Sequence, residues 1–121
     1  MAGRFPLFTD AHIQQPIVEG LTRRGWDVER AIDVFPERTK DPVLLEYAAT
    51  SGRVFVTNDS GIIQTVNDWL AAGRSINGMV FWEELIYYDM SAGDFIRSFE
   101  ALAQEGEPFR VPIRYISKPS K

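Results

Sequence analysis

The sequence contains no cysteine and a single histidine, His12. The first absence excludes structural disulfides, zinc–thiolate sites and thiol nucleophiles. The second excludes any site built from several imidazoles. No apolar run approaches the roughly 20 residues that a membrane-spanning helix needs, and residues 1–8 lack the pattern of a secretory leader. No phosphate-binding glycine loop occurs, which argues against nucleotide-dependent phosphotransfer. Basic residues are also in deficit, 13 against 17 acids for a net charge of −4. That excludes a generally basic nucleic-acid binder but leaves local patches free to meet phosphate. These absences lead us to expect a soluble cytoplasmic protein with no membrane partner.

What is present is ordinary for a folded chain: 121 residues, 45% hydrophobic and 25% charged. A chain of this length forms one domain, here residues 1–121, and buries roughly two-thirds of its unfolded surface. Charge is uneven towards the end. Seven acids stand against Arg97 alone between Glu83 and Glu107, whereas four basic residues and no acid follow from Arg110. A solvated acidic helix before a basic end is the simpler reading; a basic tail, about residues 117–121, reaching for a phosphate backbone is the sharper one.

Short apolar runs alternate with amphipathic stretches. Phe5 to Thr9 reads as a buried strand with Pro6 near its start. Ile17, Val18 and Leu21 recur at helical spacing, Arg23 and Arg24 favour that helix's C-terminus, and Gly25 ends it. Trp26 to Val34 reads as a weaker strand near an edge. Asp41-Pro42 predicts a helix cap and first turn, with Val43, Leu44, Tyr47 and Ala48 as the apolar face and Gly52 as the stop. Arg53 to Thr57 is a strand covered on both faces. Asp59 or Ser60 then caps a helix presenting Ile62, Ile63, Val66, Trp69 and Leu70. Met79 to Trp82 is the next strand and Tyr87 to Ser91 a loop. Phe95, Ile96, Phe99, Leu102 and Ala103 line the next helix. Val111, Ile113 and Tyr115 alternate in a last strand that Pro112 confines to an edge. This order predicts an α/β fold of three layers, α/β/α, around a mainly parallel sheet of about five strands.

In such sheets ligands bind outside the carboxyl ends of the strands, near a topological switch point. Asp10 follows the first strand, Asn58 and Asp59 follow the strand ending at Thr57, and Asp41 opens a helix. Neighbouring parallel strands lie about 4.8 Å apart, so Asp10 and Asp59 on adjacent strands would share one crevice. Asp41 joins them only if the segment 35–40 carries its helix start over that crevice. Carboxylates this close repel one another unless a cation neutralises them, and Mg2+ or Mn2+ prefers such oxygen ligands. Three acids around a divalent ion point to phosphodiester hydrolysis with water as nucleophile. Each acid also has a structural role available: Asp41 and Asp59 as helix caps, Asp10 in a turn. Thr9 and Thr57 are placed to orient carboxylates, His12 to meet the ion or a phosphate, and Arg38 and Lys40 to meet phosphate. Trp82, Tyr87 and Tyr88 form an aromatic group suited first to the core or a dimer interface, and less to base stacking.

Leu7-Phe8-Thr9-Asp10 before an amphipathic helix, Asp41 heading the next, and the string from Gly52 to Asp59 together resemble the short PIN-like proteins. This family of bacteria and archaea is similar to the VapC toxins of toxin–antitoxin pairs. The resemblance covers about residues 5–82. It implies a PIN-like fold, metal-dependent endoribonuclease activity and an acidic site in which Asp10, Asp41 and Asp59 match the family's positions. It also implies a small antitoxin as partner, if the chain is a toxin, alongside an RNA substrate and a homodimeric state. The chain departs from the family's pattern at Ala11 and His12, where relatives commonly carry Glu and Asn, and at Gly61, where they often carry Asp.

Two other readings stand beside this one. A relative that binds RNA or a protein without cutting would account for Ala11 and Gly61. A receiver-like phospho-acceptor domain shares the length and βα alternation, but it needs paired acids after the first strand and an aspartate ending the third.

Overall fold

The computed structural model describes residues 3–116; the basic segment 117–121 lies outside the described residues. The elements are β1 (Leu7–Thr9), α1 (Gln15–Arg23), β2 (Val28–Arg30), α2 (Ala31–Val34), α3 (Asp41–Thr50) and β3 (Val54–Thr57). They continue with α4 (Gly61–Ala71), β4 (Met79–Trp82), α5 (Glu84–Asp89), α6 (Ala92–Gln104) and β5 (Ile113–Ile116). The five strands form one sheet in the order β2-β1-β3-β4-β5, every neighbouring pair parallel.

Because successive strand side chains point to opposite faces, the apolar runs feed two cores. Leu7, Val54, Val56, Val80 and Trp82 join α1, Tyr87 and α6 on one face of the sheet. Phe8, Phe55, Met79 and Phe81 join Ala31, α3 and α4 on the other. The fold is therefore the expected α/β/α arrangement with a five-stranded parallel sheet. Among the described residues, no helix is long and apolar enough to cross a membrane.

Several local expectations are corrected. The strand expected over 26–34 is only three residues long and gives way to α2. Its one partner, β1, ends at Thr9 opposite Arg30, so no ladder remains to extend it, and the chain turns to bury Ala31. Trp26 precedes the strand as a core residue, its ring edge-on to Phe5 and Phe99 and its Nε1–H donating to Glu100 at 3.2 Å. The first strand likewise starts at Leu7 and not Phe5. In α3, Val43 is 47% exposed and Leu45 is buried beside Leu44 and Ala48, so the apolar face lies one step round from the expected one. The segment 87–91 begins in α5, not a loop. Tyr87 stabilises that short helix by burying its ring against Phe95 while its hydroxyl accepts the Gln14 N–H at 2.8 Å. Val111 lies outside β5 and is exposed; the Pro112 carbonyl accepts the Met79 N–H at 2.8 Å at the start of this edge strand.

The glycine before β4 has a steric reason. Gly78 adopts φ 127°, and a Cβ there would lie 2.4 Å from the Phe109 ring. The close approach seats Phe109 against the core of the α1–α6 face.

Candidate active site

The strand order reverses at β1, which sends its connections to β2 on one side while β3 lies on the other. Crevices form at such switch points beyond the strands' carboxyl ends. Asp10 leaves β1 there; its backbone N–H still donates to the Val56 carbonyl at 3.1 Å, so the residue is fixed by the β1–β3 ladder. Its side chain is 7% exposed. The His12 backbone N–H donates to Oδ1 at 2.8 Å, and the Thr57 hydroxyl donates to Oδ2. The same Thr57 oxygen accepts the Asp59 backbone N–H at 3.0 Å. One buried hydroxyl on β3 thus ties the carboxylate of β1 to the backbone of the second acid. Of the two threonines considered for this role, Thr57 bonds an acid and Thr9 does not: the Thr9 Oγ1 is buried without a hydrogen-bond partner among the described residues.

Asp59 is exposed, and its Oδ1 accepts the Gly61 N–H at 2.9 Å. It therefore closes a turn before α4, while Ser60 takes the N-cap position without a side-chain bond. A Cβ on residue 61 would stand 3.3 Å from Asp59 Oδ1, so Gly61 leaves room for this turn. Asp41 is the first residue of α3 and not its cap; Lys40 holds the cap position, also without a side-chain bond. Asp41 is therefore not spent as a side-chain cap, whereas Asp59 gives Oδ1 to the first N–H of α4, as the cap reading expects, and its Oδ2 makes no hydrogen bond among the described residues.

The segment 35–40 does reach over the crevice. A cleft of about 220 Å³ is lined by Asp10, Asp41 and Asp59 together with His12, Glu37 and Arg38. Lys40 does not line it. A second cavity of about 250 Å³ shares His12 and Asp59 with the first and adds Asn58 and Tyr88. Glu37 and Tyr88 are contributions that periodicity could not assign: one sits in an irregular turn, the other beside a buried neighbour in a short helix. Trp82 and Tyr87 belong to the core instead.

The electrostatics follow from this placement. Burial pushes the Asp10 carboxyl up, and the Asp59 charge adds to that; the Thr57 hydroxyl, the His12 N–H and the His12 charge oppose it. Asp41 is raised as well, by burial first and the Asp59 charge second. The acids thus feel one another across the cleft. Among the described residues, no three acids or histidines form a ready-made metal cage. The donors nevertheless suit a hard divalent cation, being oxygen ligands that repel without one. Magnesium characteristically uses only one or two carboxylates and fills its other positions with water and phosphate oxygens, so a complete protein cage is not needed.

The model of one family, the PIN-like domain, matches residues 6–84. The chain belongs to the PIN-like domain family. No curated protein and no solved structure matches it. The matched span of this PIN-like domain runs from β1 past β4, so it contains Asp10, Asp41, Asp59, Thr57 and the Pro36–Lys40 segment. Most of α5, with Tyr88, and all of α6 and β5 lie beyond it.

Proposed function

We propose that this PIN-like domain is a metal-dependent endoribonuclease that hydrolyses RNA phosphodiester bonds. The observation that carries the reading is the pairing of Asp10 and Asp59 through one buried Thr57 hydroxyl at the sheet's switch point, with Asp41 across the same cleft. In this reading Asp10 and Asp59 hold Mg2+ or Mn2+ and Asp41 completes the acidic set. When bound, the cation supplies charge neutralisation at the phosphoryl oxygens and makes water a better nucleophile. Thr57 and the His12 N–H fix the Asp10 oxygens, so the reactive geometry is set before substrate arrives. Arg38 lines the cleft with no ionic partner among the described residues, which suits it to a substrate phosphate. His12 and Asn58 line the neighbouring cavity, and Lys40 lies just outside the cleft as a longer-range phosphate contact.

The test is incubation of RNA with wild type and Asp59→Asn in Mg2+ or Mn2+, and again with chelator. The reading expects cleavage by wild type alone, abolished by chelation. Equal cleavage by the variant would remove Asp59 from the site. A toxin role extends the proposal: a small antitoxin protein would block the acidic cleft of a cytoplasmic homodimer.

A second reading is a relative that binds RNA or protein without cutting. It is favoured by Ala11 and Gly61, positions at which the family pattern commonly has acids. It expects RNA binding with the RNA intact after long incubation in manganese. A receiver-like role is disfavoured because β3 ends on Thr57, leaving no carboxylate at the strand's last position.

A further inference from the structure

Tyr88 is 66% exposed although the tyrosine before it is almost wholly buried. An isolated surface aromatic needs no explanation, but this one lines the cavity that holds His12, Asn58 and Asp59. That cavity shares two residues with the acidic cleft, so whatever occupies it lies next to the reacting centre. Tyr88 is also held in place. Its ring meets that of Tyr87 at 90°, with centroids 5.3 Å apart. The Tyr87 hydroxyl in turn accepts the Gln14 N–H and donates to the His12 carbonyl at 3.3 Å. The segment that carries the acidic centre away from β1 therefore also anchors the aromatic rim. The cavity, about 250 Å³, exceeds the roughly 150 Å³ that suffices for a benzene-sized ring.

We propose that Tyr88 is a stacking platform for an unpaired nucleobase adjacent to the scissile phosphate. This deepens the endoribonuclease reading and rests on it. A planar ring at the rim of a phosphate-directed site takes a base by its face, which every unpaired base offers and a paired, stacked base does not. The aspartates repel the backbone until a cation is bound, so the open ring adds affinity that the carboxylates do not supply. Asn58 on the same wall adds hydrogen-bonding capacity toward a base edge.

The experiment measures cleavage of a short mixed-sequence RNA in Mn2+, alone and annealed to its complement, by wild type, Tyr88→Ala and Tyr88→Phe. Thermal melts check that each variant folds. The alanine variant should raise KM by about 10- to 100-fold with kcat little changed, the range a lost base stack gives. The phenylalanine variant should stay near wild type, because the ring and not the hydroxyl does the stacking. An abasic nucleotide beside the cleavage position should reproduce the loss in wild type and add nothing in Tyr88→Ala. Wild-type KM in Tyr88→Ala, or equal cleavage of duplex and single strand, overturns the proposal. If wild type cuts no RNA, the endoribonuclease reading fails, and anisotropy with the same oligonucleotides decides the stacking role. Single-strand binding lost in Tyr88→Ala supports it, whereas no binding, or binding indifferent to the alanine, overturns it.

Discussion

Replacing Thr57 with valine keeps the side-chain shape of a fully buried residue and removes only its hydroxyl. That hydroxyl makes two bonds, one to the Asp10 carboxylate and one from the Asp59 N–H. A bond to a charged group contributes about 1.5–3 kcal/mol and a neutral one about 0.5–1.5 kcal/mol, so the variant should lose about 2–4 kcal/mol at neutral pH. A domain of this size has a stability on the order of 10 kcal/mol, so the loss is readily measured without unfolding the protein. With a urea m value of about 2 kcal/mol/M, the midpoint should fall by about 1–2 M. Acid should shrink the difference, because protonating Asp10 turns the stronger bond into a neutral one. Thr57→Ser, which keeps the oxygen, should recover most of the midpoint shift at neutral pH. The assay is urea unfolding followed by far-UV circular dichroism for all three proteins at both pH values. A valine variant with the wild-type midpoint at neutral pH would refute the claim that this hydroxyl joins the two acids.

The Asp10 carboxyl is raised by burial, so the folded chain holds that proton more tightly than the unfolded chain, whose value is near 3.8. Its ionisation therefore costs stability as pH rises from below 3.8 through the folded value, and Asp10→Asn should gain on wild type over that range without divalent cation. Denaturant titrations at acid and neutral pH check this, and a difference that stays flat with pH contradicts it. Arg38 sits at φ 67°, in the left-handed region that favours glycine. Arg38→Gly should therefore gain about 0.5–1 kcal/mol in thermal or chemical unfolding while weakening RNA binding by about tenfold or more; retention of full affinity would remove Arg38 from the substrate contacts. Thr9→Val removes a buried hydroxyl that has no hydrogen-bond partner among the described residues, and it should raise stability by about 1 kcal/mol in the same unfolding assay. The opposite sign from Thr57→Val at the end of an adjacent strand separates a bonded threonine from an unbonded one.

The alternation of apolar runs was enough to read the layers and the parallel sheet, because doubly covered strands such as Val54–Thr57 have few other ways to bury their backbone. Strand adjacency was a condition in the sequence and a fact in the fold: β1 and β3 do pair, which brings Asp10 and Asp59 to one crevice. What the sequence left unread was set by tertiary contacts. The length of β2 depends on where its partner ends, and the existence of α5 depends on Tyr87 reaching the backbone before α1. Asp41-Pro42 carries the signature of a cap followed by a first turn, yet the helix begins one residue earlier, so the carboxylate is left to face the cleft. Thr9 and Thr57 are indistinguishable as residue types at strand ends. They part because strand alternation turns one toward the core and the register aims the other at Asp10.

The central claim is that Asp10 and Asp59 form one cation-binding site. Calorimetric titration of manganese into wild type and into Asp10→Asn/Asp59→Asn tests it most directly, with RNA carrying an uncleavable backbone present in a parallel series so that substrate oxygens are available as ligands. The account predicts saturable binding to wild type, in the parallel series at least, that is absent from the double variant throughout. Identical heats from the two proteins in both series would contradict it and return these aspartates to the role of turn residues.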